Sequence, residues 1–333
     1  KIVGAVDKIV SRRSDIKVHV DRWAVGITAA DTLKFMVKDE FDGNYKKKLG
    51  SSPAAGSVFR QVVDCANEAT LLAFTNIGNC YKIDLSERDP VDWRAPGLKL
   101  TDICTEAAKN ERVVKLFAFN KKKDGEVIMF TKQGAVKRTL WSEFENLKKP
   151  VPAIKLKDGD ELLWVENYDA DEFSTMLFVT KKAMCLSAAK DDVPVQGRVA
   201  GGVKGISLNA GDEVIFATQQ NGEGEIVVVT SLGGFKRVIS SLFETYNRAS
   251  KGVMIADIKG KGELVFANYV TIPYKLAVSY GEKSFKEVDT EDISIESRVF
   301  KGKPIDGVSD IKRVIAMRYK TDYAGGAMQI KFD

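Results

Sequence analysis

The chain has 333 residues, 44% of them hydrophobic and 29% charged, with 27 Gly, 8 Pro, 4 Cys and a single His. That composition excludes a disordered or collagen-like chain, and the scattered Cys65, Cys80, Cys104 and Cys185 exclude a zinc ribbon or a disulfide scaffold. Lys and Arg number 51 against 46 Asp and Glu, a formal charge of +5 that neither demands nor forbids a nucleic-acid partner.

No apolar run approaches the roughly 20 residues of a membrane helix, and the first residues lack the pattern of a signal peptide. A cytoplasmic location follows as the expectation. The chain opens on Lys1 rather than Met, so it is expected to be a piece of a longer protein. His19, set between two valines, reads as structural. A catalytic triad or a His-rich metal site would have to rest on it alone.

From Trp23 onward one pattern recurs: a short apolar run, Thr or Ser, a turn, then a basic or polar strand. The copies are WAVGITAADTLKFMV, LLAFTNIGNCYKI, EVIMFTKQGAVKRT, TMLFVTKKAMCLS, EIVVVTSLGGFKRV and KLAVSYGEKSFKEV. They start at Trp23, Leu71, Glu126, Thr175, Glu225 and Lys275, spaced by 48, 55, 49, 50 and 50 residues. Each copy continues through a basic segment into an apolar strand, a turn such as KDGDE (157–161) or NAGDE (209–213), and another apolar strand. The runs are β-rich and too short for helices, giving about four antiparallel strands per copy. Six small sheets that cannot cover their own faces predict radial packing, an all-β propeller-like ring. The predicted blades are 23–70, 71–124, 125–173, 174–223, 224–273 and 274–317. Residues 1–22 read as a linker or an N-terminal strand, and 318–333 as a tail or a closing strand.

Basic residues recur at two places in the repeat. One is the second hairpin strand: Lys34, Lys82, Lys137–Arg138, Lys236–Arg237 and Lys286, with Leu186–Ser187 breaking the rule. The other is the connecting segment: Lys46, Lys47 and Lys48; Arg94; Lys148 and Lys149; Arg198 with Lys204; Arg248 with Lys251; and Arg298 with Lys301. Radial packing would turn this periodicity into a basic belt suited to the phosphates of duplex DNA. The hairpin group is the weaker of the two, because its basic residues alternate with apolar ones. Gly201–Gly202 and Gly252 are expected at strand-entry turns or where backbone nears a phosphate. The tryptophans read as packing. No metal-ligand cluster, phosphate loop, dinucleotide fingerprint or acid–base pair is visible.

FTKQGAVKRTLWSEF (130–144) with AIKLKDGDELL (153–163), and GRVAGGVKGISLNAGDEV (197–214), resemble the repeat of the C-terminal domains of bacterial type IIA topoisomerase A subunits. The resemblance spans about 23–317. It implies a six-bladed β-pinwheel in which one strand of each blade is contributed by its neighbour in sequence, with DNA bent on a basic rim. It also implies a non-catalytic domain without a cofactor of its own. The parent enzyme would use ATP and Mg, and the ATPase B subunit, together with the rest of the A subunit, would be its partners. Gyrase carries a Gln-Arg-Arg-Gly-Gly-Arg-Gly box in the first blade. Here that place reads YKKKLGSSPAAG (45–56), so the box is absent. VDWRAPGLKLTDI (91–103) resembles a segment of Gram-positive topoisomerase IV. Topoisomerase IV A is therefore the expected branch, with a gyrase A of degenerate box as the alternative. A propeller serving as a protein-interaction scaffold is the alternative of another class.

Overall fold

The computed structural model describes residues 19–50, 53–259 and 261–322. Most of the predicted linker (1–18) and tail (323–333, with its MQIKF segment) lies outside the described residues.

Six sheets follow one another along the chain, each with the same core of three antiparallel strands. In the order outer, middle and inner, the third sheet is Ala135–Leu140, Glu126–Thr131 and Leu162–Asn167; the fourth is Met184–Ala189, Thr175–Thr180 and Val214–Gln220. The middle strands are buried almost throughout. They pack on both faces, which explains why LLAFT, VIMFT and IVVVT are continuous apolar runs rather than alternating ones. The Thr that ends each run turns the chain. Thr131 Oγ1 accepts from Ala135 N at 3.0 Å, Thr180 Oγ1 from Met184 N at 3.1 Å and Thr230 Oγ1 from Gly234 N at 2.9 Å.

The inner strands touch in sequence around the axis, and the sixth meets the first. The hydrophobic core is accordingly six separate clusters, one at each interface between neighbouring sheets. At five junctions the chain leaves its own hairpin and adds a short pairing to the outer edge of the preceding sheet. Leu98 pairs Leu33, Val151–Pro152 pairs Asn79–Cys80, Val203–Lys204 pairs Ala135–Val136, Val253–Met254 pairs Met184–Cys185, and Lys303 pairs Phe235. The exchange departs from all-antiparallel pairing. Thr245–Tyr246 first runs parallel to Ser187–Ala188, then the chain reverses before its antiparallel pairing.

Among the described residues, the sixth sheet receives no such strand. The helix Lys38–Asn44 and the chain after it lie there instead, with Leu49 N donating to Glu287 at 3.2 Å. Phe41, Phe59 and Tyr319 form an aromatic cluster across this seam, and Lys320 Nζ reaches both Lys47 O and Glu287 at 3.1 Å. Among the described residues no helix is long and apolar enough to cross a membrane.

Candidate nucleic-acid interface

The outermost feature of the ring is the turn that precedes each exchanged pairing. Ala200 N donates to Gly197 O at 3.1 Å, Phe300 N to Ser297 O at 3.2 Å and Ala95 N to Asp92 O at 3.0 Å. These are β-turns with Arg198, Arg298 and Arg94 among their two central residues. Arg248 holds the same place in the fourth sheet's edge. Lys204, Lys251 and Lys301 follow these turns, and Lys148 and Lys149 precede the pairing on the second sheet's edge; all five are exposed and, among the described residues, without an ion-pair partner. The structure thus brings the connecting-segment residues to one outer edge. Lys46–Lys48 are exposed at the seam, where Lys47 Nζ donates to Asn44 at 2.7 Å.

The arginines differ in their surroundings. Arg198 is 3.1 Å from Glu143 and Arg248 is 2.9 Å from Asp192. Arg298 has no carboxylate partner among the described residues and lies over the Phe243 ring, 5.8 Å from its centroid. A phosphate approaching Arg198 or Arg248 competes with a carboxylate already in place.

The hairpin residues are a correction to the expected belt. Lys137 and Lys236 are completely buried, and Lys34 is 1% exposed. Lys137 Nζ donates to the carbonyls of Ala153, Arg198 and Ala200 at 2.7, 2.8 and 3.1 Å. Lys236 Nζ does the same for Ser297, Arg298 and Phe300 at 2.9, 3.0 and 2.7 Å. Lys34 Nζ donates to Trp93 O at 2.7 Å. Each ammonium fills the hollow of the turn that the next repeat lays over it. Burial pushes all three down to about 8. Arg138 and Arg237 are also engaged, to Glu126 at 2.6 Å and Glu225 at 2.5 Å, with further bonds to the Val193 and Ile293 carbonyls. These four residues, Lys137, Arg138, Lys236 and Arg237, hold the edge together and do not face a phosphate. The repeat-by-repeat reading could not show this, because the covering turn comes from the following repeat.

Gly202 and Gly252 have φ of +80° and +75°, and a Cβ would fall 2.5 Å from Val136 O and 2.2 Å from Cys185 O. They let the exchanged strand enter against the hairpin backbone, so of the two expected roles they fill the strand-entry one. The acidic turns lie against the hairpin tips. Asp160 accepts from Gln133 N at 2.8 Å and Asp212 from Lys182 N at 2.9 Å, both at hairpin tips. His19 is exposed and 2.9 Å from Asp21. Trp141 is packed among Phe74, Phe117 and Phe119. Cys65, Cys80 and Cys185 are buried, and burial pushes the Cys65 thiol up to about 12.

The chain matches the family model described as the DNA gyrase C-terminal domain, beta-propeller, over residues 125–167, 174–221 and 224–271. It is 30% identical over 205 residues to the DNA topoisomerase 4 A subunit of Staphylococcus epidermidis, covering 60% of this chain and 25% of that one. It is 27% identical over 267 residues to the DNA gyrase A subunit of Chlamydia muridarum, covering 79% and 32%. The chain thus spans about a quarter to a third of the length of these curated relatives. The fold is that of the C-terminal domain of DNA topoisomerase IV, with a TM-score of 0.78, 20% identity, and coverage of 95% of this chain and 100% of that one. The C-terminal domain of DNA gyrase A is also similar, with a TM-score of 0.64 and 17% identity over 89% and 98%. Relatives, family model and fold agree, and the chain belongs to the family of C-terminal domains of type IIA topoisomerase A subunits.

Proposed function

We propose that this domain binds and bends duplex DNA on its outer edge, as the C-terminal domain of a topoisomerase IV A subunit. The observation that carries the reading is the set of turns bearing Arg94, Arg198, Arg248 and Arg298 on one edge, flanked by unpaired lysines. Their mechanism is electrostatic. Contacts to phosphates release counterions and offset the cost of bending, about 1–6 kcal/mol for a 20–30 bp site. The readout is of shape and charge, without sequence preference. In the parent enzyme the domain orients the segment to be passed, beside the rest of the A subunit, with the ATP-dependent B subunit completing the machine. The cleavage and ATPase chemistry, with ATP and Mg, belongs to those parts.

The segment 45–56 lacks the gyrase box, which favours topoisomerase IV and little or no chiral wrapping. The gyrase A reading keeps in its favour the longer match to the Chlamydia protein and the description of the family model. A supercoiling assay separates the two. The isolated domain should constrain few supercoils in a relaxed plasmid, and wrapping as strong as a gyrase domain's would overturn the assignment. DNA binding itself is tested by titration at two salt concentrations. Affinity should drop steeply as salt rises, whereas a protein-interaction scaffold would show no such dependence.

A further inference from the structure

The loops that join one sheet to the next occupy equivalent places. Trp141 N donates to Gly125 O at 3.0 Å, Ser240 N to Gly224 O at 2.9 Å and Thr290 N to Tyr274 O at 2.9 Å. Their charges differ sharply. The loop before Gly125 reads NKKKD, whereas its counterpart at 168–174 carries Asp169, Asp171 and Glu172, and that at 221–224 carries Glu223. Lys121 and Lys122 are exposed and Lys123 is half-buried, 6.0 Å from the centroid of the Phe119 ring.

This loop sits beside the rim. Lys122 Nζ is 3.4 Å from Glu145, on the stretch that leads to the exposed Lys148 and Lys149. Five lysines therefore gather at the junction of the second and third sheets, with Glu145 as the one ion-pair partner among them in the described residues. Among the described residues, no other joining loop extends the rim with positive charge.

We propose that Lys121, Lys122 and Lys123 form an additional phosphate anchor for the duplex, continuous with Lys148 and Lys149. The proposal rests on the rim reading above. It makes the ring electrostatically lopsided: the duplex is held most firmly at this junction, and the acidic loop of the next junction repels it.

The test uses the whole chain and a labelled duplex of random sequence, with affinity measured by fluorescence anisotropy over a range of salt. In the variant Lys121→Gln/Lys122→Gln/Lys123→Gln, affinity at low salt should fall by about tenfold or more. The slope of log K against log salt should shrink by about 2 to 3, near 0.9 per lost phosphate contact. Glu145→Gln should act in the opposite direction by freeing Lys122, an outcome that a misfolded variant cannot imitate. A triple variant whose affinity and slope match the wild type overturns the anchor and leaves the rim reading standing. An acidic protein partner for this loop would give that result. A wild-type affinity indifferent to salt overturns the rim reading, and the anchor with it.

Discussion

The outer edges of the third and fourth sheets solve one problem in two ways. Over the third sheet, the Arg198 carbonyl points inward to the Lys137 ammonium, which also holds Ala153 O. Over the fourth, the equivalent of Lys137 is Leu186, which has no donor to offer. There the peptide turns over. Ala249 takes φ +63°, and its own N–H donates to Gly205 O, the counterpart of Ala153 O, at 2.6 Å. Ser207 completes the junction, with Oγ donating to Ala249 O at 2.6 Å and N to Ser250 O at 2.9 Å. A buried carbonyl must find a donor, and the choice between ammonium and amide decides the turn. The residue after the rim arginine follows suit. After Arg198, Arg248 and Arg298 it is Ala where φ is positive, and Val199 or Val299 where a lysine lies beneath; Ala95, after Arg94, does not follow this pattern. A β-branched residue resists the left-handed region.

Putting the same side chain at both places breaks the comparison most strongly. Lys137→Met strands two or three buried carbonyls at about 1–3 kcal/mol each, whereas Leu186→Met should cost under about 1.5 kcal/mol. Chemical denaturation measures both, and equal losses would remove the structural role of the lysine. Next in size, Ala249→Val should destabilise by about 1–2 kcal/mol or more, since it forces a β-branched residue to φ +63°. Val199→Ala, at a residue 71% exposed, should stay within about 0.5 kcal/mol.

The lysines also set a pH dependence. Between about 8 and their ordinary 10.5, the unfolded chain holds protons that Lys34, Lys137 and Lys236 have lost in the fold. Stability therefore climbs with pH across that window on their account and is lost again as pH falls through 8. Lys236→Met should remove about a third of this rise, while Leu186→Met should leave it intact, as read from melting curves over pH. The smallest effects concern affinity. Arg298→Gln should lower the salt slope by about 1. Arg198→Gln should lower it less, because Glu143 already holds that guanidinium, and Glu143→Gln should tighten binding. Equal slopes for the two arginine variants would show that the carboxylate does not matter.

Much of this was legible in the sequence, and the limit has a physical cause. Five of the six hairpins follow from apolar runs ending in Thr, because that Thr caps the turn within its own repeat; the sixth run, KLAVSY, has none. The rim arginines follow from their spacing of 50, at Arg198, Arg248 and Arg298. The burial of Lys137 and Lys236 does not follow, since what covers each lies 61 to 64 residues further on. One trace of it was present over the third, fourth and fifth sheets: Val199 and Val299 go with Lys137 and Lys236, and Ala249 with Leu186. The lysines of the 120–124 loop escaped because basic residues do not recur at that place in the other repeats.

Because five of the six outer edges are completed by the repeat that follows, the ring has a direction. Removing the sixth repeat would expose Phe235 and leave Lys236 facing solvent across an empty groove. Removing the first would take no exchanged strand from another sheet, but it would strip the sixth sheet of the helix Lys38–Asn44 and the chain after it. Damage should therefore propagate from the C-terminal side toward the N-terminal side, one sheet at a time. Among the described residues, the seam between the sixth and first sheets is closed by aromatic contacts and the Lys320–Glu287 pair instead of an exchanged strand. The first and last sheets along the chain meet there, so a circular permutant has to be opened at another junction, across which an exchanged pairing runs.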